Sequence, residues 1–528
     1  MSFNWASLTD PSQAATTTAA AKERPSAPRL SRDAERRMAR INARFDNATT
    51  TDENRRNWWA ADMLSAKAAN NFMVRRNLRM RSRYETSNNP YLFGIANSNA
   101  DDLISTGPTL QVRTRSERYN TKVEKLWRAW CQEVDLTEKL RTLKLAKTVD
   151  GEGFLILKNC PGLESPVKMY PVDIEADQVT SPAPANLSEL WIDGLTLDPV
   201  TQRPTSFHVL KSHPGDFFFP TMNPLAVEKV PARNVFQWFH KFRPGQVRGV
   251  PVFTPSLDVF VELRDFRKAV LTSARTVSKL TAFMETEGTA AGEDDADPDQ
   301  EEEAFERLPI DNGMLTALPR GTKVTFPDPK QPATTYEMFQ QACLGEACRP
   351  LAYPLNLALG TSQKFNFSSA KLDHINYRNA LTIERHQCNR VILTKLFRQW
   401  YTEAVLCGAI EAWDALEIPP HEWHWPGFES LDPLVDAQAA AMMLAAGLDT
   451  YQAYWARLGK DWKVMFQRQH EELEERTRLG LMFGEPMTQA VSQTTTDDAD
   501  EKQMAAVFGP FWRSSRRFRK LAETPLAL

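Results

Sequence analysis

Short apolar runs separated by Pro, Gly and Asp residues fill the region between positions 151 and 250. The runs span residues 154–157, 207–210 and 235–239. Short apolar runs bounded by turn-forming residues are typical of β-strands. The pattern therefore predicts that this region is built from strands and turns.

The spacing of apolar residues changes after Pro255. Apolar residues then recur every three or four positions, at Phe260, Leu263, Phe266, Val270, Ala274, Val277 and Met284. This period places them on one face, so we predict a long amphipathic helix from position 256 to about 285. A basic stripe follows the other face, at Arg264, Lys268, Arg275 and Lys279. Such a stripe fits a solvated face, salt bridges to a neighbouring subunit, or contact with a nucleic acid.

Two further patterns predict that the C-terminal half is helical. Residues 368–407 contain neither Pro nor Gly, and they are polar in the first part and apolar in the second. Three shorter segments follow, and each opens on a capping side chain and closes on Gly: Asp432 to Gly447, Thr450 to Gly459, and Asp461 to Gly480. Both kinds of residue mark helix ends, so these segments are predicted to form a compact unit of three helices.

The overall composition is that of an ordinary soluble protein. The chain has 528 residues, 42% of them hydrophobic, enough for roughly three or four domains of about 150 residues. Its longest apolar stretch, residues 439–448, is shorter than the ~20 residues that cross a bilayer, and the N-terminus lacks a signal peptide's apolar core. The six cysteines show no CxxC pair and no metal-ligand spacing. We therefore expect a cytoplasmic protein without disulfides, zinc or membrane contact.

Basic and acidic residues nearly balance, at 64 against 67, which argues against a protein that coats DNA tightly. The distribution along the chain is uneven. Residues 1–83 carry sixteen basic against eight acidic side chains, whereas residues 293–306 contain no basic one. The acidic run includes Glu293, Asp294, Asp295, Asp297, Asp299, Glu301, Glu302 and Glu303. Self-repulsion predicts that this run is an exposed loop or the start of a helix.

One short motif matches a known type of nucleophile. Ser368 and Lys371 form S-x-x-K, in which a lysine can activate a serine one helical turn away. The companion motifs S-D-N and K-T-G are absent from the sequence, and both residue types are common. We therefore interpret the motif as a chance occurrence and keep a serine hydrolase only as an alternative.

His421, Glu422 and His424 have an arrangement close to that of a zinc site. The metalloprotease motif H-E-x-x-H requires a helix that places both histidines on one face. Prolines surround the segment, which makes that helix improbable. Trp423 and Trp425 alternate with the histidines, so we predict an edge strand that packs its indoles.

Gly151 and Gly153 flank Glu152 in a predicted turn, and neither G-x-G-x-x-G nor a Walker lysine follows. No cofactor, metal site or catalytic residue is therefore predicted. For a chain of this length, that result favours a structural or assembly protein over an enzyme.

The order of several segments resembles the portal proteins of tailed bacteriophages of the lambda type. The most specific segment is FRPGQVRGVP at residues 242–251, after a predicted strand and before the long helix. Weaker segments occur in matching order: Asn88 to Pro90, residues 100–104, residues 107–111, residues 351–360, NFSSA at residues 366–370, Trp-Pro-Gly at 425–427, and Asp432 with Pro433. The resemblance covers residues 50 to 481. The tail beyond Gln489 has no counterpart in the family.

The resemblance implies an α+β, mainly helical fold, the phage portal fold with wing, stem, clip and crown, which assembles as a ring. Mapped onto this chain, its parts are a flexible basic arm (1–49), the wing (50–255), the first stem helix (256–286) and the clip (287–333). The second stem helix (334–354), the tunnel loop (355–369), a long wing helix with a strand (370–430), a C-terminal helical unit (431–489) and a tail (490–528) follow.

The resemblance also implies a function. A portal forms a ring of twelve subunits at one capsid vertex, through which double-stranded DNA is packaged and ejected without sequence specificity. Its implied partners are the terminase large subunit, a head–tail adaptor, and the major capsid and scaffold proteins; it would assemble in the host cytoplasm and remain in the virion. The acidic run would face a docking partner. The candidate tunnel residues are Lys364, Phe365, Asn366, Phe367 and Lys371, and the basic stripe would line the channel or bridge subunits.

Two other functions compete with the portal interpretation. Another connector ring of the phage head or tail is the nearer alternative, although the long helix and the position of FRPGQVRGVP argue against it. A serine hydrolase that uses Ser368 and Lys371 is the more distant one.

Overall fold

The structure is a computed structural model that describes residues 55–181, 191–216, 227–279, 283–286, 322–325, 333–414, 417–430 and 432–481. The chain divides into two compact units, Met1–Ala69 and Asn70–Leu528. In the first unit the described part contains one short helix, α1 (Ala66–Ala69). The second unit is mainly helical with four small antiparallel sheets among its described residues.

Four helices begin the second unit, and side-chain caps define where three of them start. They are α2 (Phe72–Asn88), α3 (Pro90–Ile104), α4 (Glu117–Glu133) and α5 (Leu136–Val149). Asn71, Asn89 and Ser116 cap the first three by accepting hydrogen bonds from backbone N–H groups of the first turn. Pro90 occupies the first position of α3, where its missing N–H has no cost.

Two sheets account for the strand-rich region, and all three predicted strands are confirmed. The first has the order β3 (Met169–Ile174), β2 (Glu152–Asn159), β8 (Val235–Phe239). The second contains β4 (Trp191–Ile192), β5 (Leu195–Leu197), β6 (Pro204–Leu210) and β7 (Val227–Pro231) in that order. Their facing apolar residues, including Phe154 and Phe207, form a small core of their own.

A larger core joins the first helices to the C-terminal half, and aromatic rings occupy its centre. Trp127 of α4 lies 5.1 Å from Trp130, 5.1 Å from Trp400 and 5.4 Å from Phe397, measured between ring centres. All four side chains are almost fully buried. Burying an aromatic side chain stabilises the fold by about 1.5–3 kcal/mol, so this cluster holds α4 against the long helix near the C-terminus.

The long helix predicted after Pro255 is confirmed, but it ends earlier than its apolar spacing predicts. Helix α6 spans Leu257–Lys279, and residues predicted to continue it form strand β9 (Phe283–Thr286) instead. This strand pairs antiparallel with β10 (Thr322–Thr325). Backbone hydrogen bonds to a strand that lies distant in sequence replace those of the helix, which periodicity alone could not reveal.

Helix α7 (Ala333–Ala347) packs against α6, with the Phe266 ring 4.4 Å from Phe339. A 3₁₀ turn (Arg349–Leu351) and the short helix α8 (Leu355–Leu359) follow. The loop predicted at 355–369 is therefore shorter, because helices at both ends reduce it to residues 360–366.

The long helix predicted from position 368 is confirmed with an interruption. It consists of α9 (Phe367–Cys388), a π-helical turn (Asn389–Leu393) and α10 (Thr394–Leu406). The indole of Trp425 donates a hydrogen bond to Asn389 at the π turn (2.8 Å), and that of Trp423 donates to Thr394 (3.1 Å). The predicted strand around these indoles is confirmed as β11 (His421–His424), paired with β1 (Thr109–Val112).

The three C-terminal helices have the predicted ends. Helices α11 (Pro433–Ala445), α12 (Tyr451–Arg457) and α13 (Trp462–Arg478) start at caps Asp432, Thr450 and Asp461. Glycines with positive φ follow each of them. The helices differ from the predicted compact unit in one respect, because none of their residues is fully buried. Within the described ranges, no helix combines the length and hydrophobicity that a membrane span requires.

Candidate functional site

The loop at residues 360–366 contains three of the five candidate tunnel residues. Gly360 ends α8 with a φ of 67°, and the Asn366 side chain caps α9 by accepting a hydrogen bond from the Ser368 N–H at 3.1 Å. Phe367 opens α9 and is 59% exposed, and Lys371 follows one turn later, half-buried. The structure therefore brings these residues into one loop and the helix start that follows it.

The charge of Lys364 is offset within the chain. Its ammonium nitrogen lies 2.7 Å from Glu337 of α7, and both side chains are exposed. An exposed ion pair of this kind stabilises the folded protein by ~0–1 kcal/mol. Lys364 also has a φ of 67°, which is uncommon for a residue with a Cβ atom. The loop thus presents a paired cation and aromatic surface rather than a strongly positive patch.

The S-x-x-K motif shows no catalytic arrangement among the described residues. Ser368 and Lys371 both lie near the start of α9, and no hydrogen bond joins the two side chains. The hydrogen bond from the Ser368 N–H to Asn366 belongs to the helix cap. This bond involves only the Ser368 backbone and assigns no role to the serine hydroxyl.

The basic stripe of α6 is not a uniform surface. Arg264 reaches α2, where its guanidinium lies 2.7 Å from the buried carboxylate of Glu85 and over the Tyr84 ring. Lys268 lies 3.4 Å from Asp265, Arg275 is exposed, and the side chain of Lys279 lies outside the described residues. Arg264 therefore compensates a buried charge, leaving Lys268 and Arg275 as exposed members.

The candidate clip contacts, Glu293 to Glu303, lie outside the described residues. What is described is the pair of strands that flank this segment in sequence. Strands β9 and β10 are antiparallel, with Thr286 opposite Thr322. Thr286 and Thr322, which bound the longer stretch that contains these residues, therefore lie side by side.

Sequence reasoning did not reveal a buried ion cluster behind the FRPGQVRGVP segment. Glu152 at the start of β2 is fully buried, and the Arg248 guanidinium contacts its carboxylate at 2.7 Å. Arg248 also donates to the carbonyl groups of Val179 and Ala176, at 2.9 and 3.2 Å. The carboxylate and the carbonyl groups together accept hydrogen bonds from all three nitrogens of the buried guanidinium.

Helix α2 joins the same cluster through two more arginines. Arg79 contacts Glu152 at 3.4 Å and Asp177 at 2.5 Å, and Arg75 contacts Asp193 at 2.9 Å. Burial by itself would raise the pKa of Glu152, but the Arg248 guanidinium, aided by Arg79 and Arg75, outweighs burial and holds that pKa below its ordinary value. The carboxylate is thus ionised and connects α2, β2 and the segment around Arg248.

Glycine is required where this segment crosses the start of β2. A Cβ atom on Gly249 would lie 2.0 Å from the carbonyl oxygen of Gly151. Gly151 has a φ of 90°, and a Cβ there would lie 2.3 Å from the Val250 carbonyl carbon. Gly151 belongs to the predicted turn, whereas Gly153 lies within β2. The backbones around Gly151 and Gly249 are therefore in direct contact, and a side chain on either residue would prevent that contact.

Another buried arginine, Arg385, joins three segments that lie far apart in sequence. Arg385 of α9 donates to the carbonyl groups of Leu103 (2.9 Å), Asp102 (3.0 Å) and Pro426 (2.9 Å). Its guanidinium also lies 4.5 Å from the centre of the Phe428 ring. Burial lowers the pKa of Arg385 to about 10. The residue ties α3 and the Trp-Pro-Gly segment to the long helix.

One trio of possible metal ligands occurs among the described residues, Glu175, Asp177 and His213. The Arg83 guanidinium already contacts both carboxylates, at 3.0 and 2.8 Å. Arg79 also contacts Asp177, so two arginines face the two carboxylates and the trio extends the ion cluster around Glu152.

Comparison with known protein families gives a match that covers more than half of the chain. Residues 52–385 match the family model described as phage portal protein, lambda family. The chain is 23% identical over 312 residues to a probable portal protein of Halomonas phage phiHAP-1, which covers 57% of this chain and 59% of that relative. The chain thus spans about three fifths of the relative's length.

Solved structures with similar chains include the neck of an empty GTA particle and the virion of a native gene transfer agent particle. The TM-score is 0.39 for each, with 15% and 14% identity. The first covers 73% of this chain and 94% of its own, and the second covers 78% and 99%. The family model spans more than half of the sequence, and on that ground the chain belongs to the lambda family of phage portal proteins.

Proposed function

We propose that this chain assembles into a ring of about twelve subunits at one capsid vertex, where the ring is the channel for packaging and ejecting double-stranded DNA. Membership of the lambda portal family carries the proposal. The terminase motor and a head–tail adaptor dock on the ring, and the major capsid and scaffold proteins surround it. The ring assembles in the host cytoplasm and remains in the virion.

The paired helices α6 and α7 support a stem within this ring. Phe266 stacks with Tyr336 (5.9 Å between ring centres) and packs on Phe339, so the two helices pack side by side. The β9–β10 pair joins their far ends across the segment that we assign to the clip. Acidic residues 293–303 in that segment would steer a basic motor or adaptor surface.

Exposed apolar side chains support a homo-oligomer. Leu271 on α6 is 50% exposed, Met338 on α7 is 66% exposed, and Leu372 on α9 is 59% exposed. The three C-terminal helices add Leu434, Met442 and Leu473, and the turn after α11 adds Leu448, each at least 60% exposed. We infer that neighbouring subunits of the ring remove part of this apolar surface from water.

The charge arrangement at residues 360–371 supports passage rather than tight binding of DNA. Each phosphate that a protein neutralises strengthens binding, and strong binding would stall translocation. Lys364 is already paired with Glu337, and Phe365 and Phe367 contribute apolar surface beside it. A ring of such loops would constrain the duplex while holding it weakly.

Native mass spectrometry with negative-stain imaging of the purified chain tests the proposal. Rings of about twelve subunits with a central hole are expected. A stable monomer under assembly conditions, at concentrations where related rings form, would contradict it.

A further inference from the structure

A cavity of about 700 Å³ lies beside the long helix, away from the candidate tunnel loop. Helices α3, α5 and α9, the residues after β8 and the 3₁₀ turn at Arg349 enclose it. A volume of this size holds a small ligand. The proposed portal function assigns no role to it.

Cationic side chains outnumber acidic ones around the cavity. Lys144, Lys147, Arg349 and Arg390 line it, against the single carboxylate of Glu384. Four cations against one carboxylate leave a surplus of three positive charges. Concave surfaces with one sign of charge focus the field and attract ions of opposite sign.

The two lysines form the floor of the cavity and share one partner. Lys144 lies 2.8 Å and Lys147 2.6 Å from the same Glu384 oxygen, and both lysines are almost fully buried. Burial by itself would raise the pKa of Glu384, but the two ammonium groups outweigh it and lower that pKa to about 2. Glu384 therefore stays ionised, yet its one charge cannot neutralise two buried cations.

The two arginines lie at the mouth of the cavity. Arg349 and Arg390 are exposed, and neither has an ion-pair partner in the part of the chain that the structure describes. His240 and His386 also line the cavity. Burial lowers the pKa of His240, and the charges of Lys147 and Lys144 add to that effect while Glu384 opposes it.

We propose that this cavity binds a multiply charged, phosphate-bearing anion between Arg349 and Arg390, over the Lys144–Lys147 floor. Guanidinium groups match phosphate oxygens with paired hydrogen bonds, and a ligand with two or more negative charges suits a surplus of three. The phosphate could belong to a free polyphosphate or to the backbone of DNA. The inference goes beyond the proposed channel function and does not require a ring.

Calorimetric titration of the full chain with inorganic pyrophosphate, and separately with a short DNA duplex, tests the inference. The test variant is Arg349→Gln/Arg390→Gln, which changes only exposed side chains. Its matched control is Arg115→Gln/Arg118→Gln, an exposed pair that does not line the cavity. Loss of two charge-assisted contacts should weaken binding by more than about tenfold. A second variant, Ile383→Glu, places a negative charge at the mouth, where Ile383 is 72% exposed, and should also weaken binding.

The outcomes separate the two sources of phosphate. Saturable pyrophosphate binding that the cavity variants lose and the control keeps supports a free polyphosphate. Duplex binding with the same variant pattern, without pyrophosphate binding, supports DNA phosphates. Equal loss in cavity and control variants, or no binding of either probe, would overturn the inference. So would cavity variants that bind like the unmodified chain but fail to assemble, because the groove would then receive a neighbouring subunit.

Discussion

Arg248 and Glu152 lie 96 positions apart in sequence, and their side chains meet at 2.7 Å in the interior. The pair connects the segment before α6 to the first residue of β2. Arg79 contacts the same carboxylate, so α2 is held to the sheet by the same charge. The most specific sequence signature of the chain therefore has a structural role in this protomer.

Removing one partner of that pair should destabilise the protein strongly. Arg248→Met leaves the Glu152 carboxylate buried with weaker compensation, and a broken buried pair costs about 3–5 kcal/mol. Thermal unfolding should show a clear drop in the midpoint. Lys268→Met, which removes an exposed ion pair with Asp265, is the control and should change stability by less than ~0.5 kcal/mol. Equal midpoints for the two variants would contradict the assigned role of Arg248.

Gly249→Ala should be damaging although it adds one methyl group. The new Cβ would lie 2.0 Å from the Gly151 oxygen, so one backbone must move, which we expect to cost about 1–3 kcal/mol. Gly94→Ala is the matched control, because Gly94 lies in α3 with nothing within 4 Å of the added atom. That substitution should stabilise slightly, by about 0.5–1 kcal/mol. Denaturant titration of both variants compares the two effects.

Acid should weaken the junction between α5 and α9 through Glu384. The pKa of this carboxyl is lowered to about 2 from an ordinary 4.5. A lowered pKa contributes stability that is present above pH 4.5 and is lost as the pH falls toward 2. Glu384→Gln should reduce stability near neutral pH, since Lys144 and Lys147 lose their partner, and should flatten the acid loss in that window. Unfolding midpoints measured across pH 2–7 check both effects, and an unchanged acid profile in the variant would contradict them.

The candidate tunnel lysines should affect DNA handling without affecting assembly. Lys364→Ala/Lys371→Ala changes stability by less than ~0.5 kcal/mol, because the Lys364 pair with Glu337 is exposed. Rings should form normally, while packaging or retention of DNA in the head changes. Lys229→Ala, an exposed lysine on β7, serves as the control. Unchanged packaging in the double variant would remove these lysines from the channel.

Ring formation should depend on apolar residues that the single chain leaves exposed. Leu271→Asp places a charge on the half-exposed face of α6 and should reduce the fraction of rings at least tenfold, because a buried unpaired charge opposes association. Val200→Asp changes a residue that is 88% exposed in a turn and should leave assembly unaffected. Native mass spectrometry of both variants measures the difference. Normal rings from Leu271→Asp would exclude that face from the interface.

Local patterns predicted part of the elements, and helices α2–α5 were not among them. Three strands between residues 151 and 250, the start of α6 and the caps of the three C-terminal helices depend on neighbouring residues, and the structure has each of them. The end of α6 was missed because residues 283–286 pair with residues 322–325, and the apolar period of a helix contains no information about that partner. The loop at 360–366 was overestimated because Leu355–Leu359 forms a helix too short for a periodic signal.

The positions and partners of charged side chains were the features hardest to predict from the sequence. Arg264 was assigned to an outward stripe because it shares a helix face with Lys268, yet it neutralises Glu85 of α2. No pattern in the sequence indicates that Lys144 and Glu384 form an ion pair. The periodic pattern of a helix or strand does not show whether a charged side chain is buried. A charged side chain stays in the interior only when another element supplies a partner for it.

By itself, the sequence determined several helix starts and caps, three strands and the family to which the chain belongs, because helix caps, apolar period and the FRPGQVRGVP segment are properties of adjacent residues. The tertiary structure decided which charges are paired, which glycines admit no side chain and which apolar faces stay exposed. Those properties depend on contacts between residues far apart in sequence, where packing and the low dielectric constant of the interior set the free energy.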